Sequence, residues 1–326
     1  RAASYDFQAT RFDLESLATS MTAQFVELWF DLGELRSTQT LIERQIETNE
    51  TQLELIRFRF GHGLANATAV LQQEQQLHAT RGLLPPVLGR LATVQHQLAL
   101  LLGRPPQAGE DIGKNRISLP QIKPLPDLGL PADLLGRRPD IKAARLRVAA
   151  ADERVGAALA DRLPAFRLQA SVGAGAQSLS ELLDRWIWSL GSSVVAPLFD
   201  GGRRASEVER ARAVTAGLLT GFKAAYLRAL VELEGALTLE QSETLRLGHV
   251  RVELKVARSL LEETRSRYLV GLTDYLPVLT ALRSVQRAER AELVGRRTVL
   301  THRIRLYRAL GGTWTRKLSA KKKEAG

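Results

Sequence analysis

One turn is written twice in this chain. RFRFGHGLANATAVL (Arg57 to Leu71) returns as RSRYLVGLTDYLPVL (Arg265 to Leu279), at an offset of 265 − 57 = 208 residues. Arg, Arg, Gly, Leu, Val and Leu are identical at matching places, Phe60 stands opposite Tyr268, and Asn66 opposite Asp274. A repeated turn with repeated flanks means one supersecondary unit built twice.

The flanks are helical. Met21, Phe25, Leu28, Leu32, Leu35, Ile42, Ile46, Leu53, Ile56 and Phe60 advance in steps of three and four, with Gln39 and Asn49 in the gaps. This is a heptad seam, which winds helices around each other left-handedly. It returns as Val250, Leu254, Ala257, Leu261, Thr264 and Tyr268. The return helix repeats as well: Val70, Leu77, Leu84, Leu91 and Leu98 become Val278, Val285, Glu292, Val299 and Leu306. Breakers place the helices at about Tyr5 to Phe60, Ala67 to Leu102 with an interruption at LLPP (Leu83 to Pro86), Arg203 to Leu269, and on to Leu310. At ~1.5 Å per residue the third spans roughly 100 Å, the length of a rod or tube. Val214, Leu218, Phe222, Ala225, Ala229, Leu233 and Ala236 form one stripe on it, with Leu219, Leu230 and Leu237 beside. Two stripes require two neighbours. A low aromatic content of 6% agrees with long packed helices.

Between the copies, a Pro-rich run (Leu119 to Asp140) leads into a helix that starts near Pro139 and ends before Pro164. The period then changes to two. In Phe166–Gln177, Leu168, Ala170, Val172 and Ala174 alternate with Gln169, Ser171, Gly173 and Gly175. In Trp186–Leu198, Trp186, Trp188, Leu190, Val194 and Ala196 alternate with Ile187, Ser189, Gly191, Ser193 and Val195. Each strand suits a tilted bilayer crossing, with Trp186 and Trp188 as an interfacial girdle, Leu190 and Val194 toward lipid and Ser193 toward a lumen. A soluble hairpin packed on the helices is the alternative for these strands. Pro197, Asp200, Gly201 and Gly202 form a tight strand-to-helix turn; the free N–H groups of GGRR (Gly201 to Arg204) are also a place for an anion.

Other chemistry is not evident. With no Cys, disulfides and thiolate metal sites are excluded. His62, His78, His96, His249 and His302 lack metal-ligand spacing, so no metal or other cofactor is expected. No nucleophile–base set suggests an enzyme. No apolar run approaches the ~18 residues of a spanning helix. A net charge of +11 points toward polyanions, yet the basic residues are scattered among acidic ones except in RKLSAKKKEAG at the C-terminus. That run reads as a solvated tail, and no nucleic-acid partner is expected.

PADLLGRRPDIKAAR (Pro131 to Arg145), APLFDGGRR (Ala196 to Arg204), LLPP and RYLVGLTDYLPVL (Arg267 to Leu279) together resemble the TolC-like outer-membrane efflux factors. RRPDI and FDGG favour the branch that serves resistance-nodulation-division pumps. The resemblance runs from about Tyr5 to Trp314. It implies a mainly α fold with a β-hairpin, in which tandem antiparallel helical hairpins form an α-barrel tunnel and the strands join a transmembrane β-barrel. It further implies a homotrimer in outer-membrane lipid reaching into the periplasm, where a periplasmic adaptor protein links it to an inner-membrane transporter. On this reading 1–126 is the first repeat, lacking its β-hairpin; 127–312 is the second; and 313–326 is a basic tail. The chain is therefore expected to be an N-terminally truncated piece. The turns Gly63, Leu64, Ala65 and Val270, Gly271, Leu272, Thr273 become adaptor-docking tips. Each Gly permits a sharp reversal, and each Leu is an apolar knob without a partner in its hairpin. Arg265, Arg267, Tyr268 and Asp274 become candidates for links closing the inner end. Pro277 and Thr280 stand where relatives carry acidic residues, which puts an acidic inner ring there in question. A soluble coiled-coil scaffold is the competing reading; it leaves the alternating strands and the FDGG turn unexplained.

Overall fold

The computed structural model describes residues 1–112, 119–122, 124–125, 136–174 and 186–312. The expected tail, residues 175–177 of the first strand and half of the Pro-rich run lie outside the described residues. Elements follow in the order α1 (Ala2–Gly61), α2 (Ala67–Arg81), α3 (Leu84–Leu101), a 3-10 turn (Pro106–Gly109), α4 (Pro139–Ala160), β1 (Ala165–Ala174), β2 (Trp186–Val195), α5 (Arg203–Leu269) and α6 (Tyr275–Ala309). Among the described residues the fold is mainly α with one β-hairpin. α5 has the expected bounds, whereas α1 starts three residues before Tyr5. β2 stops at Val195 and not at Leu198, because Pro197 has no N–H for the ladder. The LLPP interruption amounts to Gly82 and Leu83, with Pro85 and Pro86 in the first turn of α3, where helical N–H groups have no partner in any case.

The chain forms two compact units that cut across the repeats. One comprises 1–14 and 139–228, the other 15–138 and 229–326. In the second unit, apolar clusters pack within each hairpin, Leu32 and Leu35 against Leu91, Val94 and Leu98; Leu254 and Ala257 against Val285 and Ala288; Leu233 and Ala236 against Leu306 and Ala309, beside buried polar bonds such as Asn49–Thr80 and Arg303–Glu240. Contacts between the hairpins are largely polar. Gln45 Nε2 donates to Gln286 O (3.2 Å) and Glu289 Oε2 (3.0 Å), and Gln76 Nε2 donates to Gln286 Oε1 (3.1 Å). Arg283 Nε donates to Gln76 Oε1 (2.6 Å), and the ion pairs Arg297–Asp31 and Arg305–Glu27 continue the line. Burial outweighs Arg297 at Asp31 and holds its carboxyl above the usual range. An apolar cluster of Ile56, Ala69, Tyr268, Tyr275, Val278 and Leu279 joins the hairpins near their turns.

Two seam positions depart from expectation. Met21 and Phe60 are 43% and 48% exposed, whereas Tyr268, the mate of Phe60, is buried at 8%. The tip cluster covers Tyr268 and leaves Phe60 outside. α5 also contains an 18-residue window of mean hydropathy 1.2, in which 6% of residues are buried. A count of uninterrupted apolar residues misses it, because Lys223 and Arg228 break the run. Val214, Leu219, Leu227 and Val231 all stand exposed along this part of the helix.

In the first unit, α1 and α4 are paired by Arg147–Asp13 and Arg154–Asp6, with the Lys142 ammonium over the Phe12 ring.

Candidate functional site

Each helical hairpin reverses through the same hydrogen bonds. Gly63 N–H reaches Phe60 O (3.0 Å) and Leu64 N–H reaches Arg59 O (2.8 Å). Gly271 N–H reaches Tyr268 O (3.1 Å) and Leu272 N–H reaches Arg267 O (2.9 Å). This is the Schellman motif, with glycine at φ +73° and +77° in the left-handed region. In that motif the residue after the glycine usually packs on an apolar side chain one turn back. Here that earlier position is Arg59 or Arg267, and the leucines stay out: Leu64 is 62% exposed and Leu272 77%. Val270 is exposed too.

The two turns border one open cleft of about 350 Å³. Leu64, Ala65, Tyr268, Gly271, Thr273 and Asp274 are among its lining residues; Gly63, Val270, Leu272, Arg265 and Arg267 are not. Arg267 bonds Glu263 of its own helix at 2.7 Å, and Arg265 is exposed. Tyr268 lies edge-on to Tyr275 (5.4 Å) beneath the Arg59 guanidinium (4.8 Å). Its hydroxyl is buried and makes no hydrogen bond among the described residues, whereas Tyr275 donates to Gln73 Oε1 at 2.6 Å. Burial pushes the Tyr275 phenol above its ordinary range, so it remains a donor at physiological pH. Arg59, Gln73 and Tyr275 escaped the sequence reading. Arg59 was within reach, as the repeat mate of Arg267; Tyr275 replaces Ala67 of the first copy, and the offset carries no signal for it.

The N-caps diverge. Asn66 Oδ1 accepts from Ala69 N–H at 2.8 Å, while Asp274 makes no side-chain cap bond. Asn66→Ala is therefore expected to destabilise by ~1 kcal/mol at any salt concentration. Within one chain Asp274→Ala loses only the interaction with the helix dipole, about 0.3–1 kcal/mol, which salt screens as it would any ion pair to a neighbouring copy. Denaturation of the detergent-solubilised protein at low and high salt checks this. A salt-independent loss at Asp274 would contradict it.

In the β-hairpin, antiparallel register sets Phe166 opposite Val194, Leu168 opposite Ser192, Ala170 opposite Leu190 and Val172 opposite Trp188. Opposed residues share a face, so this face is apolar apart from Ser192. The other carries Arg167 with Ser193, Gln169 with Gly191, and Ser171 with Ser189, whose hydroxyls lie 2.8 Å apart. Trp186 and Trp188 lie at the end away from the helices. All of β2 is exposed on both faces. A lone two-stranded hairpin with this much uncovered apolar surface is marginal in water. Beyond it, Gly201 and Gly202 have φ +63° and +83°, and Pro197 precedes the turn. Asp200 accepts from Gly202 N–H (3.1 Å) and Arg204 N–H (3.3 Å). Its carboxylate occupies the helix start, where the free N–H groups could have held an external anion.

Among the described residues no group of His and carboxylates could hold a metal ion. His62 Nδ1 lies 2.9 Å from Phe58 O, and His78, His96 and His249 are exposed. His302 is partly buried, and desolvation with nearby Arg305 lowers its pKa.

The family model described as outer membrane efflux protein matches residues 130–312. The pyoverdine export outer membrane protein OpmQ of Pseudomonas aeruginosa is 30% identical over 314 residues, covering 96% of this chain and 66% of its own. The cation efflux system protein CusC of Escherichia coli is 29% identical over 254 residues, 77% of this chain and 55% of its own. The chain thus spans two thirds or less of the length of these curated relatives. Among solved structures, the outer-membrane channel OprN superposes with a TM-score of 0.86 at 27% identity, over 96% of this chain and 71% of that one. The outer membrane protein VceC of Vibrio cholerae gives 0.83 at 26%, over 95% and 74%.

Proposed function

This chain belongs to the outer membrane efflux protein family, and from that membership we propose that it works as the exit duct of a tripartite efflux pump in the outer membrane of a Gram-negative bacterium. The observation that carries the reading is the pairing of duplicated helical hairpins with an exposed, two-faced β-hairpin in one chain. The protein is a passive path and not an enzyme; energy comes from an inner-membrane transporter of the resistance-nodulation-division class, reached through a periplasmic adaptor. A soluble scaffold has no use for a hairpin with one apolar and one hydroxyl-bearing face.

The duplication supports a homotrimer. α1 meets α6 through Glu27–Arg305, Asp31–Arg297 and Gln45–Gln286. The 208-residue offset carries these positions to Gly235, Leu239 and Glu253 on α5, and to Gln97, Gly89 and His78 on α2 and α3. Among the described residues these positions do not pair with one another, and all but half-buried Gly235 are exposed. A second copy that repeats the internal contact, α5 of one against α2–α3 of the next, makes a heterologous interface whose repetition closes a ring. The apolar stretch of α5 lies uncovered for the same contact. Sedimentation of the whole gene product in detergent should give an elongated trimer; a compact monomer would sink the reading.

At the inner end, the two turns form the docking tips for the adaptor: Gly63, Leu64 and Ala65, with Val270, Gly271, Leu272 and Thr273. Asp274, uncommitted to its cap, and Arg265 are free to meet a neighbouring copy; Arg267 and Tyr268 complete the proposed gate. The Tyr268 hydroxyl is buried and makes no hydrogen bond among the described residues, so a higher single-channel conductance in Asp274→Ala trimers that Tyr268→Phe does not add to would report bonds between copies made by Asp274. Exposed links of this kind contribute about 0–1 kcal/mol each, so closure needs several around the ring.

A further inference from the structure

Four large apolar side chains stand at the end of the hairpin nearest the helices. Leu163 and Phe166 lie at the entry to β1, and Leu198 and Phe199 follow the exit from β2; Ala165 and Val195 are register partners, so the two segments meet where the ladder ends. Leu198 is 96% exposed and Phe199 94%, more than any other large apolar side chain among the described residues. Leu163 and Phe166 are exposed as well. Arg162 and Arg203 flank the cluster, both exposed and without an ion pair among the described residues. Arg204 is occupied instead, donating to Asp161 O at 2.5 Å beside Asp200.

We propose that this junction is a lipid-interface anchor, in which Leu163, Phe166, Leu198 and Phe199 enter the leaflet that faces the helices while Arg162 and Arg203 bind its phosphate headgroups. The inference rests on the reading of the hairpin as part of a transmembrane barrel. Spacing supports it. From the Trp186 row to the Phe166–Val194 row the ladder runs eight residues, about 27 Å along the strand, or roughly 21 Å along the membrane normal at a ~40° tilt. An apolar band ~25 Å tall that begins at the tryptophans therefore ends at this junction. Such proteins carry aromatic residues at both edges of the band, and Phe166 and Phe199 stand where the second edge falls. Apolar side chains beside unpaired guanidinium groups match the chemistry of that boundary, with hydrocarbon on one side and phosphate on the other. A water-facing turn would have no reason to hold Leu and Phe side by side almost uncovered.

These 326 residues contain no cysteine, and any free cysteine elsewhere in the whole gene product is first replaced by Ser so that each single label is unambiguous. Phe199→Cys and, separately, Leu190→Cys in the whole gene product carry an environment-sensitive fluorophore in vesicles of phosphatidylethanolamine and phosphatidylglycerol. The 199 label is expected to be quenched more by a nitroxide near the headgroup than by one deep in the acyl chain, and the 190 label the reverse. A 199 label reached by aqueous iodide, or shielded from both iodide and lipid nitroxide as it would be against another copy, overturns the anchor. If the 190 label is still quenched by lipid in that case, the barrel reading stands. If the 190 label meets no lipid, the barrel reading and the anchor fall together. Headgroup-labelled phosphatidylglycerol should quench the 199 label roughly two- to five-fold more than the phosphatidylcholine analogue, through enrichment at Arg162 and Arg203. Equal quenching by the two overturns the headgroup assignment.

Discussion

Leu272→Asp in the whole gene product is expected to abolish export while leaving the amount of protein in the membrane unchanged. Leu272 is the residue after the glycine of a Schellman turn, its usual apolar mate is replaced by Arg267, and it stands 77% exposed. Covering such a side chain contributes about 1.5–3 kcal/mol. Losing it at the proposed docking tip, with a charge put in its place, weakens adaptor binding by roughly 10²-fold or more. Within the chain the change costs little, because the side chain touches almost nothing. Gly271 separates the shape of the turn from its surface. A Cβ there meets no atom within 4 Å, so Gly271→Ala strains only the backbone at φ +77°, about 1–2 kcal/mol, and should reduce export partially. Gly271→Trp adds a bulky obstacle and should match Leu272→Asp. Efflux of a fluorescent substrate, read beside crosslinking to the adaptor, measures both. Normal export with crosslinking intact would move docking elsewhere and leave Gly271 a turn residue only.

Leu190→Arg should impair insertion of the hairpin by roughly 2–4 kcal/mol, against ~0–1 kcal/mol for Val194→Arg. The ladder runs from Trp186 to Val195, so Leu190, opposite Ala170, lies at its middle, and Val194, opposite Phe166, lies one step from its end. Alternation alone puts both on the apolar face and ranks neither; the register assigns their depths. Ser193→Arg, on the hydroxyl-bearing face beside Arg167, should be tolerated. Folding titrations into vesicles compare the three. Equal penalties at positions 190 and 193 would contradict the assignment of faces.

Much of this architecture is legible in the sequence because its determinants are local and written twice. The turns at Gly63 and Gly271, the helix start at Arg203, the break before Pro85 and the onset of period two at Phe166 each follow from a breaker or a change of period. The turns that carry the proposed tips were legible for the same reason. Side chains whose neighbours come from the other hairpin were not. Phe60 and Tyr268 occupy equivalent seam positions, yet one is half exposed and the other buried. Asn66 and Asp274 occupy equivalent caps, yet only Asn66 closes its bond. Periodicity treats such mates alike, since it records spacing along one helix and nothing of what approaches from outside.

By itself, the sequence determined the helices, the strands, the turns and the duplication, because caps, glycines, prolines and apolar spacing act within a few residues of where they stand. Only the tertiary structure decided what joins the copies. Gln45, Gln76, Arg283 and Gln286 look like solvated helix positions when read in order, and they become buried bonds only when two hairpins separated by about 200 residues come together. A buried amide requires a partner at hydrogen-bond distance, and no local pattern states which distant residue will supply it.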